Sequence, residues 1–270
     1  MPAPEPGTEL GRSIEAITLD FGNTLVPFRA GPSAAVLRAT AERAAQVTGC
    51  VVADFERMWG EERMRQFSED VPEGREADLD IRVARVLARL SGRPEPPNGA
   101  RWDDADHVSA ILDGYADAFV RLTPVPPQIE PILRRLAARY PLGLLSNWPL
   151  AMAAERFIEA AGWAGHFRAV VISQRVGAVK PWRRIFDVAA AELGVPSGPG
   201  ILHVGDDLGA DVAGAQALGW RAAWVRARTE DSVLPKGPPA PHAVPDLTID
   251  TVAELEAALG LPADRRVLLD

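Results

Sequence analysis

The sequence predicts an α/β protein: a Rossmann-like core built on a parallel sheet, with an inserted all-helical cap domain. Three observations predict it. After residue 123, short apolar stretches alternate with segments of helical spacing, the pattern of βαβ units. Residues 29–122 show helical spacing and no strand-like run. Polar clusters follow directly on the apolar stretches, where open α/β sheets place their ligands.

Taken in order, residues 1–12 are rich in Pro and Gly and read as a disordered tail. The first strand covers 14–20 and ends at Asp20. The cap is then predicted from helices at 33–47, 54–67, 77–90 and 103–122, with a Gly/Pro-rich break at 91–99. Past Pro124-Val125-Pro126-Pro127, a helix at 129–138 leads to a strand at 142–145. Three more pairs follow: helix 150–161 with strand 168–172, helix 182–193 with strand 201–204, and helix 209–218 with strand 222–225. Residues 228–245, rich in Pro and polar residues, read as a surface excursion. A short strand at 247–249 and a helix at 252–259 close the chain. The core is thus 13–28 plus 123–270, and the cap is 29–122.

Bulk composition narrows the function classes. The formal charge of −8 argues against a nucleic-acid binder, since phosphate backbones require basic surface. No apolar run approaches membrane-spanning length, and the N-terminal residues lack the pattern of a signal peptide. A cytoplasmic location, no membrane partner, and a monomer or homodimer are the expectations. The one cysteine, Cys50, excludes an intramolecular disulfide and a cysteine-rich metal site. Lysine occurs only at Lys180 and Lys236, so any role for a lysine has two candidates.

Four polar clusters stand at four predicted strand ends or helix starts. Asp20 opens the turn Phe21-Gly22-Asn23-Thr24-Leu25. Ser146-Asn147 follows strand 142–145, Lys180 lies in Gly177-Ala178-Val179-Lys180-Pro181, and Gly205-Asp206-Asp207 through Asp211 follows strand 201–204. In a parallel sheet these positions lie on one edge and can converge. A carboxylate at Asp20 can be a nucleophile, a metal ligand or a cap. Carboxylates brought together repel unless a cation intervenes, and oxygen ligands with open positions suit Mg²⁺. Ser146 and Asn147 can donate to phosphoryl oxygens, and Lys180 can offset anionic charge. Asp20 would then attack phosphorus and form an aspartyl-phosphate.

Each residue also has an ordinary reading. Asp20 could serve an Asx-turn, Ser146-Asn147 a loop, and Lys180 a solvated surface. Asp207 and Asp211 could cap or complement a helix. His203 reads as a packed core histidine. Arg57, Arg63 and Arg65 could meet an anionic substrate, but a solvated helix face is the preferred reading. Trp148 either narrows a pocket or packs under the cap.

The order of the four clusters resembles the haloacid dehalogenase superfamily. The resemblance rests on Asp20-Phe21-Gly22-Asn23-Thr24-Leu25, Leu145-Ser146-Asn147, Val176-Gly177-Ala178-Val179-Lys180-Pro181, and Val204-Gly205-Asp206-Asp207 through Asp211. It implies Asp20 as nucleophile and Mg²⁺ ligand, with the Gly22 carbonyl and Asp206 as further ligands. It also implies Asp211, and Asp207 with it, as outer support for the metal, and Ser146 and Lys180 as phosphate contacts. The substrate it implies is a small phosphorylated metabolite.

Phosphatases of this family usually carry a second Asp two residues after the nucleophile, as general acid and base. Gly22 stands there instead. Three readings follow. The first is a phosphatase with another donor from the cap (Asp54, Glu61, Glu62 and His107 are candidates) or with substrates whose leaving groups depart readily. The second is a 2-haloacid dehalogenase, but that branch is metal-free with a Ser/Asn-rich fourth motif, unlike Gly205-Asp206-Asp207. The third is a weakly active or inactive metal- and phosphate-binding module. A phosphonatase-like enzyme would need a cap lysine, and residues 29–122 contain none.

Overall fold

The computed structural model describes residues 8–95 and 104–261. Six parallel strands form one sheet in the order β3-β2-β1-β4-β5-β6. They are β1 (Ala16–Leu19), β2 (Leu142–Ser146), β3 (Ala169–Ile172), β4 (Ile201–Gly205), β5 (Arg221–Val225) and β6 (Leu247–Ile249). β1 lies at the centre, paired with β2 on one side (Ile17 opposite Leu142) and β4 on the other (Ile17 opposite Leu202). The chain leaves β1 toward one edge and later returns to build the other. The crevice beyond the carboxyl ends of β1 and β4 is therefore a topological switch point.

Both faces of the sheet are covered, so its central strands β1, β2 and β4 are buried along their whole length rather than alternating. On one face Ile17, Leu19, Leu142 and Leu144 join the larger core with α6 (Ile129–Ala137) and α7 (Ala151–Ala160). On the other, Ala16, Leu145, Val171 and Ile201 pack with Ile185 and Phe186 of α9 (Arg183–Leu193). Burying a residue such as Ile17 or Leu19 contributes about 1.5–3 kcal/mol.

The helical insert is α2 (Ala30–Thr48), α3 (Val52–Glu69), α4 (Leu79–Leu90) and α5 (Ala105–Leu122). α2 packs on α5 and α3 on α4, while α5 also packs on α7 of the core. Phe119 of α5 meets Phe157 of α7 at 5.6 Å between ring centroids. Asp78 caps α4 by accepting from the Asp80 amide at 2.8 Å.

Several elements differ from their sequence expectation. Residues 1–7, and part of the predicted 91–99 break, lie outside the described residues. Of the predicted tail, Glu9–Ser13 instead form α1, capped by Thr8 and held by Tyr140, whose hydroxyl donates to the Gly11 carbonyl at 2.9 Å. A one-turn α8 (Ser173–Val176) follows β3 directly. The predicted helix at 209–218 is a six-residue π-helical turn, Leu208–Ala213, running into the short α10 (Gly214–Gln216). The last helix, α11, is shortened to Glu254–Ala258.

The segment after β5 departs most. It has no regular structure, yet it is not a free excursion. Val233 N donates to Phe28 O at 3.3 Å, and Gly237 N donates to Asp207 Oδ2 at 2.6 Å. Ser232 Oγ donates to Asn23 Oδ1 at 3.2 Å, and cap residue Arg63 donates through Nη2 to Val233 O at 2.8 Å. An irregular backbone laid on protein must find partners for its polar groups, and this one finds them on core and cap together.

Candidate active site

Asp20 is fixed at the end of β1 by its own amide, which donates to Val204 O of β4 at 2.9 Å. The chain then reverses through Asn23, which adopts a positive φ of 57°, a conformation asparagine tolerates better than most residues. Asn23 Nδ2 donates to Asp206 Oδ2 at 3.3 Å, tying this turn to the end of β4.

Lys180 is the hub. Its buried ammonium donates to Asp20 Oδ1 at 2.8 Å, to Leu145 O at 2.8 Å and to Asp211 Oδ1 at 2.6 Å. Asn147 holds the lysine backbone from both sides: Oδ1 accepts from Lys180 N at 2.7 Å and Nδ2 donates to Lys180 O at 3.0 Å. Asn147, expected to face phosphate, thus clamps Lys180 while also lining the cavity above the carboxylates. Ser146 Oγ donates to Asp20 Oδ1 at 3.0 Å.

Asp211 is saturated. Oδ1 takes Lys180 and His203 Nε2 (3.1 Å), and Oδ2 takes the Asp207 amide (2.9 Å). With Asp211 as acceptor, His203 carries its proton on Nε2, so Thr18 Oγ1 donates to Nδ1 at 2.8 Å. His203 is wholly buried, the core histidine expected, but it also orients a site carboxylate. Gly205 is required here, because a Cβ would lie 2.2 Å from the Asp211 carboxyl carbon. Asp207 caps the π-helical turn, accepting from Gly209 N at 2.9 Å and Ala210 N at 2.8 Å. All its bonds are structural.

Asp206 faces the shared crevice. Its Oδ2 accepts from Asn23 and from Arg228 Nε at 2.6 Å. Among the described residues, Asp20 Oδ2 and Asp206 Oδ1 accept no hydrogen bond. Ligand atoms of Asp20, Asp206 and Asp211 all lie within 4.8 Å of one another.

The electrostatics match. Burial, and then the charges of Asp20 and Asp211, push the Asp206 carboxyl up to about 7 despite Arg228. Burial also raises Asp20, opposed by Lys180. For Asp211 burial is overcome by the Lys180 charge and the His203 bond, and its pKa falls. Burial pulls Lys180 down, but Asp20 and Asp211 outweigh it and its pKa rises. Three carboxylates thus face two cationic side chains, Lys180 and Arg228. This donor set fits a divalent cation: hard oxygen ligands, two of them unoccupied, in a place with one more negative than positive side chain.

Four motifs in this order, meeting at one switch point, are the deciding observation. A family model described as haloacid dehalogenase-like hydrolase matches residues 14–219. The chain belongs to that family. Among curated relatives it is 30% identical over 150 residues to pyrimidine 5'-nucleotidase YjjG of Escherichia coli, covering 55% of the chain and 63% of that relative. The chain thus spans less than two thirds of that relative's length. It is 27% identical to a glyceraldehyde 3-phosphate phosphatase of Methanopyrus kandleri, covering 90% and 95% of the two chains. The fold is similar to that of a 2-haloacid dehalogenase from Pseudomonas syringae, with a TM-score of 0.64 at 22% identity, covering 91% and 98%.

In this haloacid dehalogenase-like hydrolase a cavity of about 940 Å³ runs from the carboxylates up into the cap. Gly22 lies at its floor. A Cβ there would sit 2.4 Å from Leu234 Cδ1, 3.5 Å from Phe28 and 3.6 Å from Trp148. A side chain at position 22 would first meet the tip of the half-buried Leu234, from the segment after β5, which would have to swing aside. None of the four cap donors expected from sequence lines the cavity. Asp54 and Glu61 are exposed partners of Arg57, and Glu62 is buried between Arg65 and Arg85. The cap groups that do line it include Arg63, Glu76, Arg82 and Tyr115.

Arg57 is solvated as expected, but Arg63 turns inward. Trp148 packs under the cap and narrows the cavity at once, 4.8 Å from Phe28 and 5.4 Å from Phe119. Arg228, Leu234 and Arg82 were not singled out by sequence reasoning. Nothing in their local pattern marks them; their position comes from long-range packing.

Proposed function

We propose that the chain is a Mg²⁺-dependent phosphatase acting on a small phosphorylated metabolite, with Asp20 as nucleophile. One observation carries this reading: the free oxygens of Asp20 and Asp206 face one buried crevice beside the Lys180 ammonium. Asp20, Asp206 and the Gly22 carbonyl would hold the ion, and Asp211 acts through Lys180 and His203 rather than as a ligand. When bound, Mg²⁺ supplies charge neutralisation to phosphoryl oxygens. The names of relatives such as the nucleotidase and the glyceraldehyde 3-phosphate phosphatase support a phosphate ester as substrate.

The chain's own groups then divide the work. Ser146 Oγ and the Lys180 ammonium hold Asp20 through Oδ1 and fix its orientation; of the two Asp20 oxygens, one would ligate the ion and the other attack phosphorus. The new O–P bond forms as the ester P–O bond breaks, and the leaving alcohol takes the bonding electrons. Water then cleaves the aspartyl-phosphate and returns the carboxylate. With glycine at position 22 and Leu234 over it, that position supplies no carboxyl to protonate the leaving oxygen. General acid catalysis is worth roughly 10²–10⁴ in rate, so the reading favours esters whose alcohol departs as a stable anion.

The test is hydrolysis of 4-nitrophenyl phosphate by the parent and by Asp20→Asn, with and without chelator. Chelator-sensitive turnover lost in the variant is expected. Undiminished turnover by Asp20→Asn would sink the nucleophile assignment. Chelator-insensitive halide release from a 2-haloacid would favour the dehalogenase reading, and Mg²⁺-dependent phosphate binding without turnover the binding-module reading.

A further inference from the structure

The cavity above the carboxylates has walls unlike its floor. Trp59 stacks near Tyr115 (6.2 Å between centroids), Tyr115 on Phe119 (6.1 Å, planes 8° apart), and Phe119 on Phe28 (5.8 Å, 9° apart). Phe28 then meets Trp148 over Gly22. All five rings line the cavity, giving a ladder of aromatic faces from the cap down to the switch point.

At the cap end stand two arginines with no carboxylate on them. Arg82 is 4% exposed; Nε donates to Gln66 Oε1 at 2.8 Å and Nη2 to Ala77 O at 3.2 Å, both neutral acceptors. Its guanidinium lies 5.0 Å from the Trp59 ring centroid. Arg63, half-buried, donates only to Val233 O and lies 5.0 Å from the Phe67 ring. Neither forms an ion pair among the described residues, although most other cap arginines do. Burial pulls Arg82 down to about 10 and lowers Arg63 as well. Glu76 also lines the cavity, but its oxygens are taken by the Ser173 hydroxyl and the Ala77 amide. Buried charges are normally paired, and an unpaired pair facing a cavity is a place for an anion.

We infer that the substrate is a phosphate ester of a flat apolar alcohol carrying a second anionic group, a carboxylate or phosphate, which Arg63 and Arg82 receive at the cap end. This rests on the phosphatase reading and adds the substrate class. The reactive phosphoryl lies on Asp20, the ring body lies along the aromatic ladder, and the distal oxyanion meets the arginines. A phenolic alcohol also meets the requirement for a leaving group that departs unprotonated.

The experiment compares three esters with the full chain and Mg²⁺: 4-carboxyphenyl phosphate, its uncharged 4-carbamoyl counterpart, and benzene-1,4-diyl bisphosphate. The carbamoyl group makes the better leaving phenol, so intrinsic reactivity runs against the proposal. Expected is a kcat/KM roughly ten- to a hundredfold higher for a charged ester, mainly through KM, the range of a charged hydrogen bond. Preference for the carboxylate or for the bisphosphate identifies the distal group. Arg63→Gln should bring the charged-to-uncharged ratio toward one, and Arg63→Lys should restore part of it. Turnover with equal kcat/KM for all three esters in the parent overturns the inference and leaves the phosphatase reading standing. No turnover of any ester overturns both. Because the parent's ratio decides, a variant that fails to fold does not stall the test.

Discussion

The floor and the walls of the cavity are built by opposite rules. On the floor, the polar groups hold one another: Lys180 has three acceptors, Asp211 three donors, and Asn147 grips Lys180 from two sides. On the walls, aromatic rings dominate, and one buried and one half-buried arginine lack counter-charges. A densely cross-linked network fixes geometry, as a reaction centre requires. An unsaturated charge among rings leaves something for a ligand to complete. The contrast separates where bonds would be broken from where a substrate would be chosen.

The largest effects should come from the floor. Asp20→Asn is expected to lower turnover of an activated aryl phosphate by roughly 10⁴-fold or more with melting temperature largely kept, as steady-state rates and calorimetry would record. Asp206→Asn, or a chelator added to the parent, should cost on the order of 10²–10³ in kcat. If Asp206→Asn instead keeps the parent's rate and Mg²⁺ affinity, Asp206 is not a ligand and the metal reading of the floor loses its second carboxylate.

Gly22→Asp probes the seam between the two regions. The sequence alone suggests that restoring a carboxylate there would raise the rate on poor leaving groups. The structure adds a condition, because the end of the Leu234 side chain must swing aside. The single variant should gain less than the pair with Leu234→Ala and lose at most about 1 kcal/mol of stability, read by denaturant titration. Pairing it with Leu234→Ala should relieve the clash and recover most of that loss. A clear gain by the single variant would mean the 228–238 segment yields easily.

The smallest effect is expected from Asp207→Ala. It removes a cap on the π-helical turn and an anchor for Gly237, costing about 1 kcal/mol, visible as a modest fall in melting temperature. Its charge contributes nothing directly to the floor, so Mg²⁺ affinity should change little.

The floor was legible in the sequence because each of its members sits at a fixed offset from a strand end or helix start. Once strands 14–20, 142–145 and 201–204 are placed in a parallel sheet, topology alone brings Asp20, Ser146 and Asp206 together. Lys180 follows from its place before α9. The walls were illegible for the converse reason. Arg63 and Arg82 lie on different cap helices, and their inward aim depends on helix rotation and on Gln66, Ala77 and Val233. Helical spacing marked Arg63 as solvated because its neighbours Arg57 and Glu61 are. The segment after β5 has no periodicity to read, so its contacts with Asn23, Phe28 and Asp207 could come only from three-dimensional packing.

The contact between Leu234 and the bare backbone of Gly22 joins positions more than two hundred residues apart in sequence, and it couples their evolutionary change. A lineage acquiring any side chain at position 22 must first have the terminal methyl of Leu234 swing aside into the cavity, so that step carries the cost of the rotation. The two sites are thereby expected to drift as a pair rather than one by one.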